Sequence, residues 1–463
     1  MGVISIFSAL LLFLLGGYLT VKSKFFQFRR LKLVFKVTFG RLIKSKDLLG
    51  FKAMSIALGS TIGIGNIIGV ASAIIIGGAG AVFWLLVTGF LGMIIKYSEI
   101  HICVKEAGEA GRSFGGPMYV FKNKAKSRFK FLGTVFAFVC VLASFFAGNL
   151  MQSRSIYRFA EIGFDLKFLP ITVFILPLLI IILLGKDKLY QNLSAIFVPI
   201  MALFYIGSAL LIILDNLIYV PNALMSIFSG AFGIKQISGG ISGAVISKAI
   251  RTGVMKGLFT HEAGMGSSPI AHASAENADP FCQGCWGIIE VFIDTVVVCM
   301  VTALAVLSSP AYLRGTFSDP FLLICEIFKS TFGSFGMKAL SLSACCFAFA
   351  SIIGWSFYGI KSLEFLTNNK SIRKLYIIIF LLLVPLSKAL NESFVWALTD
   401  LFNSSMLIPN SVLLLCLGGD SVSTLGKIKS TLEFKLHWKY NFKKEGEKNA
   451  LHTLPEKMLS HKG

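Results

Sequence analysis

The stretch Leu58 to Gly69, LGSTIGIGNIIG, decides the fold, because its glycines admit two incompatible readings. A dinucleotide cradle needs a strand before the glycines, a helix after them and an acidic residue about 20 positions on. Here the glycines lie inside an apolar run that begins near Ala53, and the next acidic residue is Glu99. A nucleotide site is therefore excluded, and the glycines belong to a membrane segment. Ser55, Gly59 and Gly63, and likewise Gly65 and Gly69, recur every four residues, a spacing that lets helix backbones pack closely. Packing does not account for Asn66, whose amide needs partners at membrane depth beside the most helix-destabilising part of the segment.

The rest of the chain supports that setting. Of 463 residues, 55% are hydrophobic and 14% charged, against about 25% charged in soluble domains, and the mean hydropathy is +0.77. The formal net charge of +21 does not indicate a nucleic-acid partner, because Lys and Arg sit between long apolar runs rather than on one polar face. The nine cysteines are scattered through apolar segments and suggest no disulfide framework. Met1 to Ser5 supplies no basic region, so the first apolar run is kept as a membrane span rather than a cleaved signal.

At about 20 apolar residues per crossing, we expect about eleven spans. They are 3-20, 52-78, 81-104, 131-156, 168-185, 191-214, 222-250, 284-308, 337-363, 375-389 and 393-417, with 317-335 as a short external or re-entrant helix. Basic residues alternate across these loops. Lys22 to Lys46, Arg112 to Lys130, Lys186 with Lys188, Arg251 with Lys256, and Lys370 to Lys374 fall on one side, and few fall on the other. The positive-inside rule then places the N-terminus outside and the C-terminus in the cytoplasm. Three regions follow: 1-50, a helix and basic loop; 51-417, the core, divided near 216 and 217; and 418-463, a basic tail that would meet membrane lipid headgroups or simply fix orientation.

A second interruption, AFGIKQISGGISG from Ala231 to Gly243, places Gly233, Lys235, Gln236, Gly239 and Gly240 in the seventh span. Spans two and seven are then the first helices of two five-helix halves, and broken helices at matching places mark the midplane site of a secondary transporter. Unwound backbone there offers carbonyls to a cation and amides to a carboxylate.

Seven motifs, in order, carry a family resemblance: GNIIGVASAIIIGGAGAVFW from Gly65, GMIIKYSE from Gly92, GGPMYV from Gly115, GNLMQ from Gly148, GLFTHEAGMGSSPIAHASA from Gly257, VFIDTVVVC from Val291 and FAFASIIGWSFYG from Phe347. From about Phe51 to Leu417 the chain resembles the alanine or glycine:cation symporters, also called sodium:alanine symporters. The resemblance implies an all-α integral membrane protein with leucine-transporter-like inverted five-helix repeats and one extra N-terminal helix. It implies a multi-pass protein of the inner (plasma) membrane, importing a small neutral amino acid with a monovalent cation, sodium or alternatively a proton, and needing no cofactor. It puts Gly63, Gly65, Asn66, Gln152 and Trp355 around the substrate, and the Gly59 and Ile62 carbonyls with the Ser351 hydroxyl around the cation. Ser351 and Trp355, four apart, share a helix face. For Gln152 and Trp355, simple hydrogen bonding and core packing are the alternative roles.

The chain departs from the family pattern at Ile64, Ile68, His261 and Ile360, and at Ala350, where a serine is usual and a hydroxyl ligand is missing. Asp294 and Thr295 lie deep in span eight, where an acid is a gating or relay candidate or a hydrogen-bonded structural group. Lys96 and Glu99, three apart, are expected to pair, as a structural or gating contact. His261, Glu262 and His272 lack zinc-protease spacing, and Cys282 with Cys285 is one isolated pair, so no enzyme is expected. Gly264, Gly266 and Pro269 are expected to form a turn-rich loop joining the halves. A cation channel or a non-transporting amino-acid sensor on the same fold is the alternative.

Overall fold

The structure is a computed structural model that describes residues 2–45, 48–112, 114–185, 187–233, 242–275, 278–423 and 425. The tail from 426, and Lys235, Gln236, Gly239 and Gly240 of the expected second interruption, lie outside the described residues. The described chain is helical throughout. Helix α1 (Gly2–Lys22) and the amphipathic α2 (Leu31–Ser45) precede α3 (Leu48–Thr61) and α4 (Ile68–Gly77), which together make the first interrupted line. Next come α5 (Gly80–Glu109), α6 (Pro117–Lys124), α7 (Phe131–Phe145) and α8 (Met151–Phe164), the last two joined by a π-helical turn at Phe146–Leu150.

Helices α9 (Phe168–Leu183), α10 (Asp187–Asp215) and α11 (Val220–Ala231) lead to α12 (Ser242–His261) and α13 (Ser268–His272). Then α14 (Pro280–Val291) and α15 (Met300–Ser308) flank a second π-helical segment, Phe292–Cys299. The chain closes with α16 (Pro320–Leu366), α17 (Lys370–Ala389) and α18 (Glu392–Leu413). Within α16 the backbone turns at Gly333, with φ 63° and ψ −155°. The segment before that kink is the short arm expected at 317-335, and it runs on into the long helix instead of standing apart.

Among the described residues, six helical stretches are long and apolar enough to cross a membrane: Gly80–Glu109, Ser127–Phe164, Asn192–Asp215, Pro280–Ser308, Pro320–Leu366 and Glu392–Ser423. The first interrupted line is absent from that set because neither α3 nor α4 alone has the length. The outer surface is apolar: Leu169, Val173, Phe174 and Ile181 of α9 and Ile200 and Leu203 of α10 are all more than half exposed. That is the face expected toward hydrocarbon, where no water competes for burial. The centre, by contrast, is polar. Ser60, Asn66, Lys96, Glu99, Glu262, Glu290, Asp294 and Ser351 are all buried.

Two lines of helix cross at that centre. The first-half helix α3 packs on α13, while the second-half helix α4 packs on α12. Each line therefore lays its leading half against the other's trailing half, so the two run antiparallel with their gaps opposed. The scaffold around them is α5 against α12 and α14, and α16 against α3, α7 and α8.

Candidate functional site

The first gap runs from Ile62 to Ile67. In an unbroken helix the Gly63 amide would donate to the Gly59 carbonyl. Gly63 is instead extended, with φ −134° and ψ −153°, and its amide donates to Asn66 Oδ1 at 3.1 Å. Ser351 Oγ takes the vacated place, donating to the Gly59 carbonyl at 3.1 Å across 292 positions of sequence. The Ile64 amide points to Gln152 Oε1 at 3.4 Å. A tight turn follows, with the Asn66 amide bonded to Gly63 O at 3.3 Å and that of Ile67 to Ile64 O at 3.2 Å, before α4 begins.

The glycines are required by what presses on them. A Cβ at Gly63 would collide with Ser351 Oγ, and one at Gly65 would stand 2.8 Å from Phe259 Cδ1. A Cβ at Gly148, four residues before Gln152, would collide with Trp355. Gly59, Ile62, Gly63, Gln152, Ser351 and Trp355 are thus brought to one buried place where α3, α8 and α16 meet. Ser351 sits on the Gly59 carbonyl, and Trp355 packs against Gly148, just before the Gln152 helix.

Asn66 has more partners than its sequence context suggests. Its Nδ2 donates to Asp294 Oδ1 at 2.7 Å and lies 3.1 Å from the Asp294 carbonyl and 3.3 Å from Cys299 Sγ. Thr295 Oγ1 donates to the other Asp294 oxygen at 2.8 Å. Asp294 therefore belongs to the first gap. It arrives there on the π-helical segment Phe292–Cys299, an irregularity of the kind that commonly re-aims side chains at functional sites.

The second gap overturns the expectation that residues around Gly264 form a joining loop. Glu262 to Ser267 is buried and separates α12 from α13, with left-handed backbone at Glu262 (φ 53°), Gly264 (φ 89°) and Gly266 (φ 77°). Phe259 and Thr260, just before it, pack on Gly65 in the first gap. Gly and Pro mark a helix break inside a protein as readily as a surface turn, because burial is not written in their spacing. The recoverable signal was the repeated Gly-x-Gly: GIG at Gly63 and GMG at Gly264.

The expected Lys96–Glu99 pair does not form. Lys96 Nζ lies 3.1 Å from Glu290 Oε1 of α14 and donates to Ser268 Oγ of α13 at 2.7 Å. Glu99 Oε2 accepts from Asn410 Nδ2 of α18 at 2.8 Å. Helical spacing put the two on one face, but partners from other helices satisfy each of them. Around the same joint, Ser268 Oγ donates to Glu290 Oε1 at 2.9 Å, His272 bridges Gln283 (2.7 Å) and Glu290 (3.3 Å), and Ser267 Oγ donates to Glu262 Oε2 at 2.5 Å. His261 Nδ1 accepts from the Ala263 amide at 3.0 Å. Among the described residues, no three His, Cys, Asp or Glu side chains converge as a resident metal would need.

Comparison with known proteins places this geometry. Residues 2–439 match the sequence profile of the sodium:alanine symporter family. The chain belongs to the sodium:alanine symporter family. Similar chains include the sodium/alanine symporter AgcS of Methanococcus maripaludis, 36% identical over 422 residues that cover 88% of this chain and 91% of AgcS. A second is the probable sodium/glutamine symporter GlnT of Bacillus subtilis, 32% identical and covering 88% of this chain and 86% of GlnT. The fold is similar to the crystal structure of MhsT in complex with L-phenylalanine, with a TM-score of 0.59 at 17% identity, over 84% of this chain and 93% of that one. The protein is a multi-pass, cation-coupled amino-acid symporter.

Proposed function

We propose that this sodium:alanine symporter family member imports a small neutral amino acid, alanine or glycine, together with sodium by alternating access. Cation and substrate meet at the first gap. The Gly59 and Ile62 carbonyls and the Ser351 hydroxyl hold the cation. The freed backbone at Gly63 and Gly65, with Asn66, Gln152 and Trp355, holds the ammonium and carboxylate of the amino acid. The single observation that carries this reading is the exchange at Gly59, where a side chain 292 positions away replaces the helix's own amide. That leaves a carbonyl and a hydroxyl oxygen together in a dry interior, a pairing suited to a small cation.

The substrate is small because the gap is crowded. Ser351, Phe259 and Thr260 all press on Gly63 or Gly65, and the bulkier Ile64 and Ile68 follow. The names of the relatives mention alanine and glutamine, and the crowding favours the smaller. The antiparallel pairing of interrupted lines fits two inverted five-helix halves, 51-216 and 217-417, within about eleven spans, the N-terminus outside and the basic tail in the cytoplasm of the inner membrane. One bundle rocks against the other, and coupling is reciprocal because each ligand completes the other's site.

Radiolabelled alanine uptake into proteoliposomes tests this. Accumulation driven by an imposed sodium gradient and abolished by a sodium ionophore is expected. Accumulation that follows only a proton gradient would reassign the ion, and downhill flux or binding without accumulation would favour the channel or the sensor.

A further inference from the structure

The joint between α5, the second gap and α18 contains two leftover acceptors. Asn410 is buried in α18, and its Nδ2 donates twice: to Glu99 Oε2 at 2.8 Å and to the Gly264 carbonyl at 2.8 Å. Those two bonds fix the amide's orientation, since a flip would aim its oxygen at a carbonyl and a carboxylate. Its Oδ1 is then left without a hydrogen-bond partner, and so is Glu99 Oε1, although both are buried. Both groups face Gly266: its backbone amide lies against the Glu99 carboxyl, and a Cβ on it would stand 3.0 Å from Asn410 Oδ1.

Besides Asn410, only Lys96 and the Gly266 amide relieve a charge on Glu99. Lys96 and Cys103 neighbour it on α5, and Glu290 approaches from α14. The one ammonium, Lys96, makes its ion pair with Glu290. An ionised Glu99 would therefore stand in a dry interior with one oxygen unbonded and no ion pair of its own, an arrangement that burial makes costly.

We propose that Glu99 carries a proton on Oε1 in this arrangement and donates it to Asn410 Oδ1, closing a two-bond acid–amide pair that clamps the second gap. One proton satisfies both orphaned oxygens at once. A monovalent metal ion would need a cage of oxygens, and the nearby Gly264 carbonyl is already taken by Asn410. Because the same amide holds Gly264, losing the proton strains the gap itself, so the proton is linked to movement of α13.

Infrared difference spectroscopy on the full chain in lipid nanodiscs tests this directly. A carboxylic-acid carbonyl band is expected in the wild type, unaffected by sodium and lost in Glu99→Gln, whose amide reproduces the donor. Asn410→Leu should shift the same band to higher frequency by removing the bond to Oε2, which keeps the test valid if Glu99→Gln does not fold. A wild-type spectrum without such a band, or a band that appears only when sodium is withdrawn, overturns the proposal. Amino-acid counterflow across a symmetric pH series adds a functional arm. The wild type should lose rate as pH rises and Glu99→Gln should not, and identical profiles would count against the link to α13. The infrared result stands whichever amino acid is carried, so its failure is distinct from failure of the symport reading.

Discussion

The two gaps are built from the same material, a glycine pair inside a buried helix, yet they are lined with opposite chemistry. Around Ile62 to Ile67 the ligands are mostly neutral: an amide, a hydroxyl and backbone groups, with Asp294 tied down by Asn66 and Thr295. Around Glu262 to Ser267 they are ionisable: Lys96, Glu290, His272, Glu262 and Glu99. Neutral ligands can exchange a partner for a substrate at little cost. Buried ions cannot, because removing one partner strands the other. The contrast fits the proposal that cargo binds at the first gap, with the second gap holding charge.

The most damaging way to break that contrast is at the buried Lys96–Glu290 ion pair. Lys96→Ala leaves Glu290 buried without its counter-ion and should cost about 3–5 kcal/mol of stability, read as a lower unfolding temperature in detergent. Glu290→Gln in the same chain should recover most of it. A mild effect in the single variant would mean that the second gap is not held by charge.

The next largest effect belongs to the first gap. Asn66→Ala strips partners from both Asp294 and the Gly63 amide, worth about 2–3 kcal/mol, or on the order of a hundredfold in uptake at about 1.4 kcal/mol per factor of ten. Wild-type uptake from that variant would remove Asn66 from the site.

Ser351→Ala leaves the Gly59 carbonyl unpaired and removes a proposed cation ligand. Sodium dependence should weaken by about tenfold, roughly 1.4 kcal/mol, with folding nearly unchanged. An effect on alanine affinity at saturating sodium, and none on sodium, would move Ser351 to the substrate. The smallest effect sharpens the backbone side of the comparison. Gly264→Ala forces a side chain into left-handed backbone and toward Leu407, at a cost of about 1 kcal/mol, measured as a stability change.

What the sequence revealed differs between the gaps for a physical reason. The first was legible because Asn66 and two glycines interrupt an otherwise apolar run, and a polar group at membrane depth needs an explanation. The second, Glu262 to Ser267, reads from sequence as a joining loop, because glycine clusters look alike whether they are wet or buried. Helical spacing pairs Lys96 with Glu99, but their partners, Glu290 and Asn410, lie on distant helices that spacing cannot reach. The meeting of Ser351 with Gly59 was legible only through family resemblance, since no local pattern ties residues so far apart.

The widened turns of Phe292–Cys299 carry one more implication. A π-helical stretch holds a residue that an ordinary helix has no room for. Deleting any single residue there would let the coil tighten, swinging the acid that meets Asn66 by about 100°. The first gap would lose the carboxylate that holds Asn66, so this segment is expected to tolerate replacement far better than shortening.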